Sequence, residues 1–133
     1  MARFKRAEQL IEASKGRIDF GFAEAYLSDH FDTSVGRVSP SRCTLCGHIE
    51  EDPRGMPEFD CDPYFPCGAI DGKVVTSELA LKGSFWIHWG RTCGTPFVVE
   101  DFLRLHPEYE WQRPYMKDIK PYPWTLLSVK TPP

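Results

Sequence analysis

The chain has 133 residues, a formal net charge of -3, 41% hydrophobic and 14% aromatic content. That size suits one domain able to bury a core without staples, and the hydrophobic share excludes disorder throughout. Mild acidity, with no basic run beyond Arg3-Phe4-Lys5-Arg6, offers phosphate backbones little to bind, so nucleic acid is not an expected partner.

The apolar residues Phe4, Ala7, Leu10 and Ile11 fall at helical spacing between Ala2 and Ser14, and Gly16 ends that amphipathic helix. Asp19 is placed to cap a second helix whose face is Phe20, Ala23, Leu27 and His30, widened by Phe22 and Tyr26. The two are expected to form a helical hairpin over 2–31, with a further layer needed to cover their aromatics. From 32 to 68 the periodicity vanishes, and Pro40, Pro53, Pro57, Pro63 and Pro66 exclude a long regular element. A loop of that length inside a compact domain is usually functional or pinned by something.

Alternation resumes in Ala69–Thr76 and Ser84–Arg91, which predicts an antiparallel strand pair over 69–91. The linker Ser77–Gly83 is too long for a tight turn, and its Leu79, Ala80 and Leu81 are free to extend either strand. Val98, Val99, Phe102 and Leu105 predict a short helix stopped by Pro107. Within the helix-and-tail region 97–133, the chain from Arg113 is a proline-rich tail, expected to be extended and to dock through Tyr115, Tyr122 and Trp124. The fold class expected is therefore α+β.

Four of the five cysteines lie in the long loop. Cys43 and Cys46 have the two-residue gap that lets neighbouring thiolates share one tetrahedral ion, and Cys61 and Cys67, or alternatively His48, could complete a zinc site. Against this stand buried or free thiols, since unpaired cysteine is among the most buried residue types. An odd cysteine count with no signal sequence argues against a full disulfide framework, and the cytoplasm is the default location. No stretch approaches the roughly 20 apolar residues of a membrane span. Thioredoxin-like exchange would want a strand before Cys43, and c-type haem attachment would want histidine directly after Cys46, where Gly47 stands.

A thiolate and imidazole pair, Cys46 with His48 or Cys93 with His88, is a candidate for nucleophilic catalysis, but sequence proximity does not supply the geometry. His88, Phe85, Trp86 and Trp89 read more simply as sheet packing. The acidic residues Glu50, Glu51, Asp52, Glu58, Asp60 and Asp62 match no calcium loop and read as a solvated face.

Leu45-Cys46-Gly47-His48, Pro63-Tyr64, Gly68 to Val74, Ser84-Phe85-Trp86, Gly90 to Gly94 and His106-Pro107-Glu108-Tyr109 occur in an order that resembles the C-terminal part of an N-terminal-nucleophile hydrolase. The chain is similar to the linear-amide hydrolases typified by acyl-coenzyme A:6-aminopenicillanic acid acyltransferases and the phospholipase B-like proteins. The resemblance implies a four-layer αββα sandwich and a small-molecule amide substrate, attacked by a cysteine, serine or threonine freed at a new N-terminus. Met1 and Ala2 cannot play that part. The expectation is a C-terminal segment, inactive alone, completed by an N-terminal half or partner chain. No catalytic residue is assigned by position. The alternative is a small zinc-stabilised binding module.

Overall fold

A computed structural model of the chain describes residues 1–48, 51–52, 54 and 71–129. It is mixed α+β, with helices and two small antiparallel sheets.

Helix α1, Ala2–Ala13, and α2, Phe20–Leu27, follow the predicted stripes. The Asp19 carboxylate caps α2 by accepting from the Phe22 backbone N–H at 2.8 Å. α1 lies against β1 (Phe31–Asp32), and α2 against β3 (Asp71–Val74). Ser28 ends α2, so His30 leaves the helix face expected for it and sits in the connector before β1. A bidentate pair fastens α1 to that connector, with Arg6 Nε and Nη2 donating to Asp29 at 3.0 and 2.7 Å.

β1 pairs with β2, Arg37–Val38, with Phe31 opposite Val38. The second sheet has the order β3-β4-β5, with β4 at Ser84–Trp89 and β5 at Thr125–Ser128. The β3–β4 pairing is the predicted one, with Gly72 opposite His88. The linker between them forms a short helix, α3 (Ser77–Leu81), instead of extending a strand. The Thr76 hydroxyl caps it by accepting from Leu79 N–H at 3.2 Å, and Glu78 sits favourably in its first turn.

The tail returns as β5 beside β4, Trp86 opposite Leu126; of the aromatics expected to dock, Trp124 packs inward while Tyr115 and Tyr122 stay exposed. Phe20 stacks on Trp86 at 4.4 Å and meets Trp124 edge-on at 5.4 Å, so α2, β4 and the tail share one aromatic joint. Two glycines permit it. A Cβ on Gly72 would stand 2.6 Å from Trp124 Cη2, and Gly90, at φ +88°, has Pro121 Cα 2.8 Å from where its Cβ would be.

Helix α4, Val99–Leu105, is followed by a 3-10 helix over Pro107–Tyr115, so Pro107 both stops one helix and begins the next. Phe97, Val99, Phe102 and Leu103 form the buried apolar cluster here, with Tyr109, Met116 and Ile119 against it. Burying a side chain such as Phe102 is worth about 1.5–3 kcal/mol. The Asp118 carboxylate ties the segment off by accepting from Val99 N–H at 2.9 Å.

A candidate metal centre

Among the described residues, the largest fully buried side chains are His48, Thr44, Asp32, Cys46 and Ser41, none of them a hydrocarbon. Hydrophobic burial cannot account for a second centre made of such groups, since each polar atom removed from water needs a compensating partner. Two sets of partners supply it, one ionic and one converging on His48.

The ionic set holds the backbone. Asp52, whose side chain is fully buried, accepts from Arg42 N–H and Nε and from Arg54 N–H, Nε and Nη2 at 2.8–3.1 Å. Burial alone would raise the Asp52 carboxyl pKa, but the bonds from Arg54 and Arg42 outweigh it and hold the group well below the usual carboxylate range. Arg54 Nη2 also reaches Asp32 at 2.9 Å, and Asp32 accepts from Ser41 Oγ at 2.8 Å. From Ser41 the chain turns back on itself: His48 N–H donates to Ser41 C=O at 3.1 Å, and Cys46 N–H to Asp29 C=O at 3.0 Å. These bonds place Cys46 and His48 beside the connector that carries His30. On the other side, the turn Arg91–Gly94 closes with Gly94 N–H on Arg91 C=O, and Thr92 Oγ1 donates to Leu27 C=O at 2.7 Å. That bond brings Cys93 to the same point.

His30, Cys46, His48 and Cys93 each offer one ligand atom, and the four atoms lie within 4.8 Å of one another. His48 Nε2 is 3.1 Å from His30 Nε2, 3.6 Å from Cys46 Sγ and 3.4 Å from Cys93 Sγ. One ring nitrogen, with one lone pair or one proton, cannot satisfy three such neighbours by hydrogen bonding. Metal bonds of about 2.0–2.1 Å to nitrogen and 2.3 Å to sulfur, at tetrahedral angles, imply edges of about 3.3–3.8 Å. The three separations from His48 Nε2 are close to those edges, and the group could hold a metal ion.

Beyond the ligand atoms, His48 Nδ1 lies 3.0 Å from Glu51 Oε1. With Nε2 turned to the centre, Nδ1 carries the proton and donates to Glu51, the carboxylate arrangement that orients metal-bound imidazoles. Arg91 Nη1, 3.4 Å from Nδ1, then acts on Glu51, 3.9 Å away, as a countercharge. The thiols are polarised in opposite senses. Cys46 is pushed up, by its hydrogen bond to Cys93 and by burial. Cys93 is pulled down as acceptor of that bond and of those from His48 and Thr95, against burial. Burial opposes the His48 imidazolium, but Cys93 and Glu51 outweigh it and raise its pKa.

Cys93, His48 and Glu51 also form a line, at 3.4 and 3.0 Å, of the kind a nucleophilic thiol uses. As a relay it leaves His30 and Cys46 crowded against the base with no role. His88, the other partner considered for Cys93, faces Gly90 C=O with Nδ1 at 3.2 Å and packs on Trp124 at 5.1 Å, a packing residue.

Of the zinc ligands expected from sequence, Cys46 and the alternative, His48, belong to the cluster. Cys43 is not among the four; its N–H donates to Ser41 Oγ within the turn. Cys61 and Cys67 lie outside the described residues, as do Glu50, Glu58, Asp60 and Asp62. His30 and Cys93 were not expected as ligands; 15 and 44 positions separate them from the Cys46–His48 segment, and no spacing rule spans those gaps. Among the described residues no helix is long and apolar enough to cross a membrane.

No protein-family model, no curated protein and no solved structure matches the chain.

Proposed function

We propose that His30, Cys46, His48 and Cys93 hold one structural zinc ion, and that the chain is a zinc-clasped α+β module with a binding rather than catalytic role. The observation that carries this is the convergence of two imidazole nitrogens and two sulfurs within 4.8 Å of one another, with the three separations from His48 Nε2 close to tetrahedral edges. Two thiolates with two imidazoles are a donor set that selects zinc over magnesium or calcium, and four protein ligands leave no open position for substrate. The ion also accounts for the burial of His48 and Cys46 in a polar region, and it ties the α2–β1 connector, the Ser41–His48 turn and the Arg91–Gly94 turn together. In so small a chain such a clasp does work that a larger apolar core would otherwise do. Elemental analysis of the purified chain tests this directly: about one zinc per chain is expected, with chelator abolishing cooperative unfolding. Metal-free protein that unfolds identically with and without chelator would reject it.

A second reading keeps the hydrolase resemblance: the chain as the C-terminal segment of an amide hydrolase or acyltransferase, within a four-layer sandwich completed by another half. Two observations favour it. Leu45 to His48 and Gly90 to Gly94, two of the resembling stretches, meet at the cluster, and Trp89, Trp111, Tyr115, Leu126 and Leu127 are exposed. On this reading zinc fixes the segment's shape and the nucleophile comes from elsewhere. The coding sequence before Met1 tests it. A half bearing a self-cleaved cysteine, serine or threonine, giving amide hydrolysis when co-expressed, supports the reading; a neighbour unable to supply one removes it.

A further inference from the structure

The four ligands of the cluster are unequally shielded. Cys46 and His48 are 0% and 1% exposed, whereas Cys93 is only half-buried. Cys93 lines an open cleft of about 470 Å³, together with Glu24, His88, Thr92, Gly94 and Trp124. Thr95 Oγ1 lies 3.4 Å from the Cys93 sulfur. His30 is half-buried as well, but of the four ligands only Cys93 lines this cleft. Within 4.8 Å of the Cys93 sulfur is that of Cys46. The other described half-buried cysteine, Cys43, is outside the cluster and has no such arrangement.

We infer that Cys93 is a peroxide-oxidation site with Cys46 as its resolving thiol, so that oxidation joins the two sulfurs and discharges the metal. This rests on the zinc reading. Thiolates, not thiols, react with peroxides, and metal binding keeps both cysteines in that form. In the first step the Cys93 sulfur attacks hydrogen peroxide: an S–O bond forms, the O–O bond breaks, and hydroxide leaves to take up a proton as water. In the second, the Cys46 sulfur attacks that sulfenic acid: the S–S bond forms, the S–O bond breaks, and a second hydroxide leaves and is protonated. Two thiolates, one peroxide and two protons become one disulfide and two waters. The centre loses both anionic ligands at once, and the two remaining imidazoles do not retain the divalent ion. Cys93 is reachable and Cys46 sealed, so the order of attack is set by the fold.

The full chain, loaded with one equivalent of zinc and treated with hydrogen peroxide, tests this in the presence of a zinc-binding dye. The expected result is one zinc released per disulfide formed, with peptide mapping locating the bond between Cys46 and Cys93, and recovery of zinc binding after dithiothreitol. C43S, which removes a thiol outside the cluster, should leave that stoichiometry and the mapped bond unchanged. Zinc retained under peroxide, or released with disulfides mapping to Cys43, Cys61 or Cys67 instead, overturns the oxidation inference while leaving the zinc reading standing. A chain that binds no zinc at all overturns both.

Discussion

The Nε2 atoms of His30 and His48 face each other across 3.1 Å, the one from the α2–β1 connector and the other from the turn after Cys46. Two ring nitrogens so placed repel when both carry lone pairs and clash when both carry protons, so something must sit between them or one proton must be shared. The two sulfurs beside them favour the first solution.

If these two nitrogens are ligands, H30A and H48A should each weaken zinc binding by about 100-fold or more, on the order of 3 kcal/mol as one ligand's share of the metal's binding energy. C46A should do likewise, whereas C43S should bind zinc as the parent does. Competition titration against a chelator of known affinity checks the set. Equal loss in C43S would move the site back toward the Cys43–Cys46 pairing that the spacing suggested.

With zinc on the cluster, Glu51 would act through His48 Nδ1, 3.0 Å from its carboxylate, and not on the metal itself. E51Q should keep the fold and lower zinc affinity by about 10–100-fold, the usual effect of removing a carboxylate behind a metal-bound imidazole. Unchanged affinity would mean the Glu51 contact contributes nothing to the centre.

Half of this geometry was legible in the sequence. Cys46 and His48 stand two residues apart in a loop whose length already called for a pin, and the strands β3 and β4 announced themselves by alternation. His30 did not, because Phe20, Ala23 and Leu27 continue to it at helical spacing, and only the stop at Ser28 takes it off that face. Cys93 was hidden by distance along the chain: the Thr92 hydroxyl on Leu27 C=O and the Arg91–Gly94 turn carry it there, and both are tertiary facts. α3 was missed because five residues give periodicity too little room, and β5 because the prolines before it read as an extended tail.

Asp52 sets an acid dependence of its own. Its folded pKa is depressed, so its contribution is complete above the unfolded value of about 3.9 and is lost as pH falls through the lower folded value. D52N should cost about 2–3 kcal/mol at neutral pH by leaving Arg42 and Arg54 under-compensated. The gap between parent and D52N in denaturant unfolding should narrow as pH drops below about 4. Comparing the two proteins separates this from acid release of zinc, which acts on both. A gap constant with pH would contradict the assignment.

Gly72 is the clearance for Trp124. G72A puts a methyl group 2.6 Å from the Trp124 ring and 3.0 Å from Thr92 Cγ2, and should destabilise by about 1–3 kcal/mol. Thr92 also anchors the turn that carries Cys93, so zinc affinity should fall with stability. Thermal unfolding and zinc titration of the same variant show whether the two move together.

Cobalt substitution tests the central claim most directly, because the visible spectrum of cobalt(II) reports coordination number and thiolate ligation at once. The parent chain should take up one equivalent of cobalt(II), give the intense visible bands of a tetrahedral site with thiolate charge-transfer absorption, and lose both when one equivalent of zinc displaces the cobalt. A pale octahedral spectrum, or no uptake, would contradict a centre built from His30, Cys46, His48 and Cys93.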